Sequence, residues 1–187
     1  RRGVAGIYFV FKCAGAAADA MLPLEEVARV AQKAADNVRT MGVALTPCII
    51  PENGKANFSI ADGRMELGMG IHGEPGVKEC DILTADEVVD TMLDSILPDL
   101  PYVAGDEVAV LINGLGGTPL EEQYIMYRRV HQVLTEKGIK VFQVKVGEFA
   151  TSMDMVGASI SILKVDDELK KYLAAPCNTP FIHQNQL

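Results

Sequence analysis

A chain of 187 residues with 49% hydrophobic side chains is long enough to bury one domain's core and too apolar to remain disordered. Its net charge of −8, with no Lys or Arg cluster to override it, excludes nucleic acid and anionic membrane as partners. No run reaches the roughly 18 apolar residues needed to span a bilayer. The cysteines at 13, 48, 80 and 177 form no C-x-x-C pair and no zinc-ligand spacing, which predicts reduced thiols in a cytoplasmic protein and no metal site.

Arg1 and Arg2 precede an apolar run to Phe11, as in a secretion signal, but Lys12 interrupts it too early. A buried strand over residues 6–12 is the better expectation, followed by a small, helix-prone stretch over 14–20. A chain that opens directly into a strand, without an initiator Met, is expected to be a piece of a longer protein. Leu24, Val27, Ala28, Ala31, Ala34, Ala35 and Val38 recur at helical spacing, which predicts a helix over 24–41 ended by Gly42. A strand over 43–50, a loop over 51–63, a strand over 65–71 and a turn over 72–76 follow.

Thr84-Ala-Asp-Glu87 is a capping box and starts a helix that runs to about Leu97. Residues 107–112, apolar throughout after Glu107, read as a central strand. A long amphipathic helix over 121–137 ends at Gly138. Strands are expected over 140–146 and 158–165, with Asp166 or Asp167 capping a last helix to about Ala175. The alternation of strands and helices predicts an α/β fold: a two-layer sandwich on a mixed sheet, carrying strand and helix pieces of a preceding α/β domain. The expected division is 1–41 for those pieces, 42–175 for the second domain and 176–187 for a tail.

Three segments carry residues suited to chemistry. Residues 68–76, Gly-Met-Gly-Ile-His-Gly-Glu-Pro-Gly, place four glycines around one histidine. Glycine lets backbone approach a ligand closely and adopt positive φ, and the end of a strand is where α/β folds place ligands. The plainer reading is a tight turn with an exposed histidine. The segment matches neither the phosphate loop, whose Lys-Ser/Thr is absent, nor the dinucleotide fingerprint. Residues 113–119 could cradle an anion at a helix N-terminus, although Leu115 and Pro119 favour a packed strand-to-helix turn. Residues 147–154 hold hydroxyls and carboxylates that read as solvated loop polars. His131 reads as a helix-surface residue and His183 as an idle tail residue. No nucleophile triad or carboxylate pair stands out.

In combination these segments resemble the dihydroxyacetone (glycerone) kinase substrate-binding family. The Gly70-Ile-His-Gly-Glu-Pro-Gly76 core carries the resemblance. Arg1-Arg-Gly-Val-Ala5, Ala14-Gly-Ala-Ala-Ala18, residues 42–47, Asn113-Gly-Leu-Gly116 with Thr118-Pro119, and residues 151–154 with Leu163-Lys-Val-Asp-Asp-Glu168 support it in the family's order. The resemblance covers nearly the whole chain and identifies it with the C-terminal half of that subunit.

The resemblance implies that His72 binds dihydroxyacetone covalently, as a hemiaminal on its imidazole, with Gly70, Gly73 and Glu74 as supporting loop residues. A covalent test for a carbonyl excludes every polyol, because a polyol has no electrophilic carbon. The attacking nitrogen must be neutral, so the other ring nitrogen should be held as a donor. The family's upstream Gly-Gly-x-Gly-His motif and aspartate, which handle the hydroxyl proton, do not occur in this sequence. The chain alone is therefore expected to be catalytically incomplete. No cofactor is expected in this chain; nucleotide and magnesium are expected on a partner kinase subunit. A phosphotransferase relay is the favoured phosphoryl source, and a homodimer is the expected assembly. The alternative is a paralogue that binds dihydroxyacetone as a ligand sensor and transcriptional co-activator without kinase activity.

Overall fold

The first long element departs from expectation. In the computed structural model, which describes residues 4–71 and 74–185, the opening apolar run is not a strand. A short 3-10 turn, Val4–Gly6, leads into helix α1, Ile7–Asp19. Phe9, Cys13 and Ala17 are fully buried, and their four-residue spacing places them on one helical face. The alanines after Cys13 continue the helix, so Lys12 lies within it. Helix α2, Leu24–Asn37, stops four residues before the expected end. The chain passes directly into β1, Val38–Ala44, because Val38 is already extended. The division expected between residues 41 and 42 thus falls inside β1.

A small hairpin, β2 (Ile49–Ile50) with β3 (Lys55–Ala56), occupies part of the expected loop. Strand β4, Arg64–Leu67, ends at Gly68, whose φ of +81° breaks the extended run before Ile71. Strand β5, Lys78–Asp81, is unexpected; its outward charges give it no apolar alternation. Helix α3, Ala85–Ile96, starts at the predicted box: Thr84 Oγ1 accepts the Glu87 N–H and Glu87 Oε2 accepts the Thr84 N–H at 2.9 Å. Strand β6, Glu107–Gly114, helix α4, Leu120–Glu136, strand β7, Lys140–Gly147, and strand β8, Gly157–Val165, lie close to their predicted bounds. Asp166 caps α5, Asp167–Ala174, by accepting the Leu169 N–H at 3.0 Å. A short pair, β9 (Cys177–Asn178) with β10 (His183–Gln184), ends the described chain.

Six strands form one mixed sheet in the order β5-β4-β1-β8-β6-β7. Only β6 and β7 pair in parallel; every other pairing is antiparallel. The α/β class and the mixed sheet are as expected, and helices cover both faces of the sheet. The reason lies in the strands themselves. In β6 and β8, Val108, Val110, Ile112, Ala158, Ile160 and Ile162 face the cluster built with α3 and α4. Ala109 and Leu111, between them in β6, and Leu163 and Val165, at the end of β8, face a second cluster, built with α1, α2 and α5. A strand apolar at successive positions, as β6 is from Val108 to Ile112, must bury both sides.

Helix α5 is pinned to α2 by ion pairs. Glu168 accepts from Arg29 Nη2 at 2.5 Å and from Lys33 Nζ at 2.6 Å. Hydrogen bonds from Arg29 and then Lys33 hold its carboxyl well below the ordinary 4.5, at about 2. A depressed carboxyl contributes stability above its unfolded pKa, and that stability is lost as pH falls through the folded value. Glu168→Gln should therefore lower the thermal midpoint at neutral pH, and the gap from the parent should narrow as pH drops from about 5 to about 2. A gap that stays constant over a pH series of melting curves contradicts the assignment.

Candidate functional site

Four residues were expected at the site: His72, Gly70, Gly73 and Glu74. His72 and Gly73 lie outside the described residues. Gly70 and Glu74 are described, and the flanks they belong to are tightly built. Gly68 N–H donates to the Gly42 carbonyl at 2.7 Å as the chain leaves β4. Gly70 N–H donates to the Glu74 carbonyl at 3.2 Å, and Val77 N–H to the Leu67 carbonyl at 2.8 Å. The Glu74 carboxyl group lies directly over Gly70, where a Cβ would stand 2.1 Å from Glu74 Oε2. Any side chain at position 70 would expel it. Glycine there serves a close approach within the segment itself.

Met69 is 1% exposed and anchors this segment on a small apolar cluster with Ala44, Cys48, Leu115 and Met155; Phe58, Ile60 and Ile71 pack against it. Leu115 belongs to the second segment singled out by sequence, and Met155 follows the third. The structure thus brings residues 68–71, 113–119 and 147–155 together. Backbone bonds join the latter two: Ser152 N–H donates to the Leu115 carbonyl at 2.8 Å and Gly117 N–H to the Met155 carbonyl at 2.9 Å. Gly116, at φ +117°, has the Met153 carbonyl oxygen 1.8 Å from where a Cβ would stand. Residues 113–119 and 147–155 follow the carboxyl ends of the parallel pair β6–β7, the usual ligand position in α/β sheets.

Three polar residues hold this floor, and sequence reasoning missed their roles. Asn113 is fully buried. Its Oδ1 accepts the N–H groups of Phe149 and Ala150 at 2.8 Å each, and its Nδ2 donates to the Ala150 carbonyl at 2.9 Å. Thr118 Oγ1 donates to the Gly157 carbonyl at 2.6 Å and accepts the Gly157 N–H at 2.8 Å. Gln123 Nε2 donates to the Thr118 carbonyl at 3.0 Å and to Glu148 Oε1 at 2.6 Å. The signal available in the sequence was only polar residues amid apolar ones, at the ends of predicted elements.

The anion cradle considered for residues 113–119 is filled differently. Helix α4 begins behind Pro119, and Glu121 and Glu122 occupy its first turn. Carboxylates already complement the positive end of the helix dipole there and would repel a phosphate. A nucleotide triphosphate with magnesium does not fit this donor set. Among the described residues no three of His, Cys, Asp and Glu are grouped to hold a metal ion. Burial pushes the Cys13 thiol up to about 12, within the cluster built with α1, α2 and α5.

Residues 1–181 match the family described as the Dak1 domain. The chain is 51% identical over 181 residues to the dihydroxyacetone-binding subunit DhaK of the PTS-dependent dihydroxyacetone kinase 2 of Listeria innocua, covering 97% of this chain and 55% of that protein. Among solved structures it superposes on a dihydroxyacetone kinase operon co-activator, Dha-DhaQ, with a TM-score of 0.87 at 31% identity, over 94% of this chain and 55% of that one. It also superposes on the C. freundii dihydroxyacetone kinase in complex with AMP-PNP and Mg2+, with a TM-score of 0.84 at 35% identity, over 94% of this chain and 32% of that one. The chain spans about half the length of the Listeria subunit and a smaller share of the C. freundii kinase.

Proposed function

We propose a function on a plain premise: the chain belongs to the Dak1 domain family. On that premise it supplies the carbonyl-anchoring part of a dihydroxyacetone-binding subunit. A neutral imidazole nitrogen of His72 adds to C2 of dihydroxyacetone, the carbonyl oxygen takes up a proton, and the ring gives up its other N–H proton. The product is a hemiaminal, and the terminal hydroxyl is left in place for phosphoryl transfer. The observation that carries this reading is the construction of residues 68–71 and 74–76. A side chain at Gly70 would displace the Glu74 carboxyl group, both described flanks are hydrogen-bonded to the sheet, and the upstream flank is seated through Met69 and Ile71 on the cluster shared with Leu115 and Met155.

The phosphoryl group comes from a nucleotide-carrying kinase subunit, supplied in a relay system by a phosphorylated carrier protein. A homodimer of the whole subunit is part of this reading, as is action in the cytoplasm. Among the described residues no helix is long and apolar enough to cross a membrane. The division into 1–41, 42–175 and a tail belongs to the same reading, with the first part contacting the rest of the subunit. A second reading, a ligand-sensing co-activator, is favoured by the superposition on Dha-DhaQ.

The separating experiment is a product assay on the full-length protein with dihydroxyacetone. Dihydroxyacetone phosphate should form only when the nucleotide-carrying subunit and its phosphoryl donor are added, and Mg-ATP alone should give none. Turnover with Mg-ATP alone overturns the division of labour. Capture of dihydroxyacetone without product under every donor assigns the chain to the co-activator reading.

A further inference from the structure

Glu66 occupies the middle of β4, between the buried Met65 and Leu67. Across the β4–β5 pair it stands directly opposite Glu79. Two carboxylates facing each other on neighbouring strands repel, and a β-branched residue would serve the strand better. Glu79 is relieved by Arg64, whose Nε donates to its Oε1 at 3.1 Å. Glu66 takes a different partner: its Oε1 accepts the backbone N–H of Gly76, ten residues further on. That approach requires glycine. A Cβ at Gly76 would stand 2.3 Å from the Leu67 carbonyl oxygen and 2.7 Å from Glu66 Cγ. The next residue, Val77, donates to the same Leu67 carbonyl at 2.8 Å. The segment that leaves β4 at Gly68 is thus tied back to β4 by a carboxylate that the strand itself does not need.

We infer that Glu66 is a positioning residue for ketone capture: through the Gly76 N–H it fixes the downstream stem of residues 68–76. Capture at His72, four residues before Gly76 in the sequence, is expected to depend on that stem. This rests on the function proposed above. A charged acceptor makes a stronger bond to a backbone N–H than a neutral one, and a neutral amide oxygen still makes one. Stem geometry governs capture because a nucleophile must sit within a few tenths of an ångström of its reacting position.

The test uses the full-length protein and dihydroxyacetone labelled with carbon-13 at C2. Capture converts the ketone resonance to that of a tetrahedral carbon, so the bound fraction is read directly. Glu66→Ala should raise the concentration needed for half-capture by about tenfold, the effect of one charge-assisted bond. Glu66→Gln should recover most of the loss, and Gly76→Ala should lower capture as Glu66→Ala does. Melting curves accompany each variant; should Glu66→Ala fail to fold, the Glu66→Gln and Gly76→Ala pair decides. Normal capture by Glu66→Ala or by Gly76→Ala overturns the inference, as does a loss that Gln does not recover. His72→Ala is the separate control. If that variant also forms the tetrahedral carbon, the hemiaminal reading fails, whatever Glu66 does.

Discussion

His72→Ala in the full-length subunit is expected to weaken dihydroxyacetone binding by about a hundredfold, or about 2.8 kcal/mol, and to reduce discrimination against glycerol to a small residual preference. The two ligands are of similar size and share both terminal hydroxyls. Without covalent addition the site can tell them apart only by hydrogen bonds to a carbonyl rather than to a hydroxyl. One such bond is worth about 0.5–1.5 kcal/mol, so the residual preference should fall within about tenfold. Acidification should mimic the substitution in the parent, since a protonated imidazole has no lone pair with which to attack. Competition calorimetry with both ligands measures the effect. Carbonyl preference equal to the parent's in His72→Ala would remove the imidazole from the mechanism. Retention of the tetrahedral carbon with a lysine or cysteine as its attachment point would replace it.

Asn113→Ala is expected to give the largest loss of stability among polar substitutions, about 2–4 kcal/mol. Asn113 is fully buried at the end of β6 and serves three backbone groups of the following loop: the N–H groups of Phe149 and Ala150 and the carbonyl of Ala150. Alanine leaves all three without the side chain that meets them, beside a fully buried position. Aspartate is not a remedy. It keeps both acceptor contacts but sets a carboxylate oxygen against the Ala150 carbonyl. Urea denaturation should show a lower midpoint at an unchanged slope for both variants. Amide exchange at Phe149, Ala150 and Ser152 should accelerate beyond the global change, because the loop loses its fastening before the sheet does. A loss under about 0.5 kcal/mol would mean that water or a rotated loop takes over the three bonds.

Where chemistry is local, the sequence is readable. The Thr84–Glu87 box and the Asp166 cap announce α3 and α5 because capping joins residues three apart. Strand β6 is legible as a central element from its unbroken apolar run, and the same run already implies cover on both faces. Where tertiary partners decide, the sequence misleads. The opening run reads as a strand by composition, yet the four-residue spacing of Phe9, Cys13 and Ala17 serves the face of α1. Strand β5 has no pattern of its own. It exists because β4 offers an edge, with Arg64 bridging to Glu79 and Asp81. At the candidate site, glycine density and one histidine marked residues 68–76. Gly70 and Glu74 show the close approach that density implies, while His72 and Gly73 lie outside the described residues. The roles of Glu66 and Asn113 were not legible, since each depends on chain returning from ten or more residues away.

The position of β8 has a consequence for synthesis. This strand lies between β1 and β6 and is hydrogen-bonded to both, yet it is the last of the six in the chain. A nascent polypeptide that has emerged only as far as Gly157 can assemble β5-β4-β1 and β6-β7 but cannot join them. Each part then presents an open strand edge, β1 on one and β6 on the other, with apolar side chains on both faces of β6. Exposed edges of that kind invite pairing with other chains. Residues 157–165 act as a late zip, so the interval before their release is when this polypeptide most needs a chaperone.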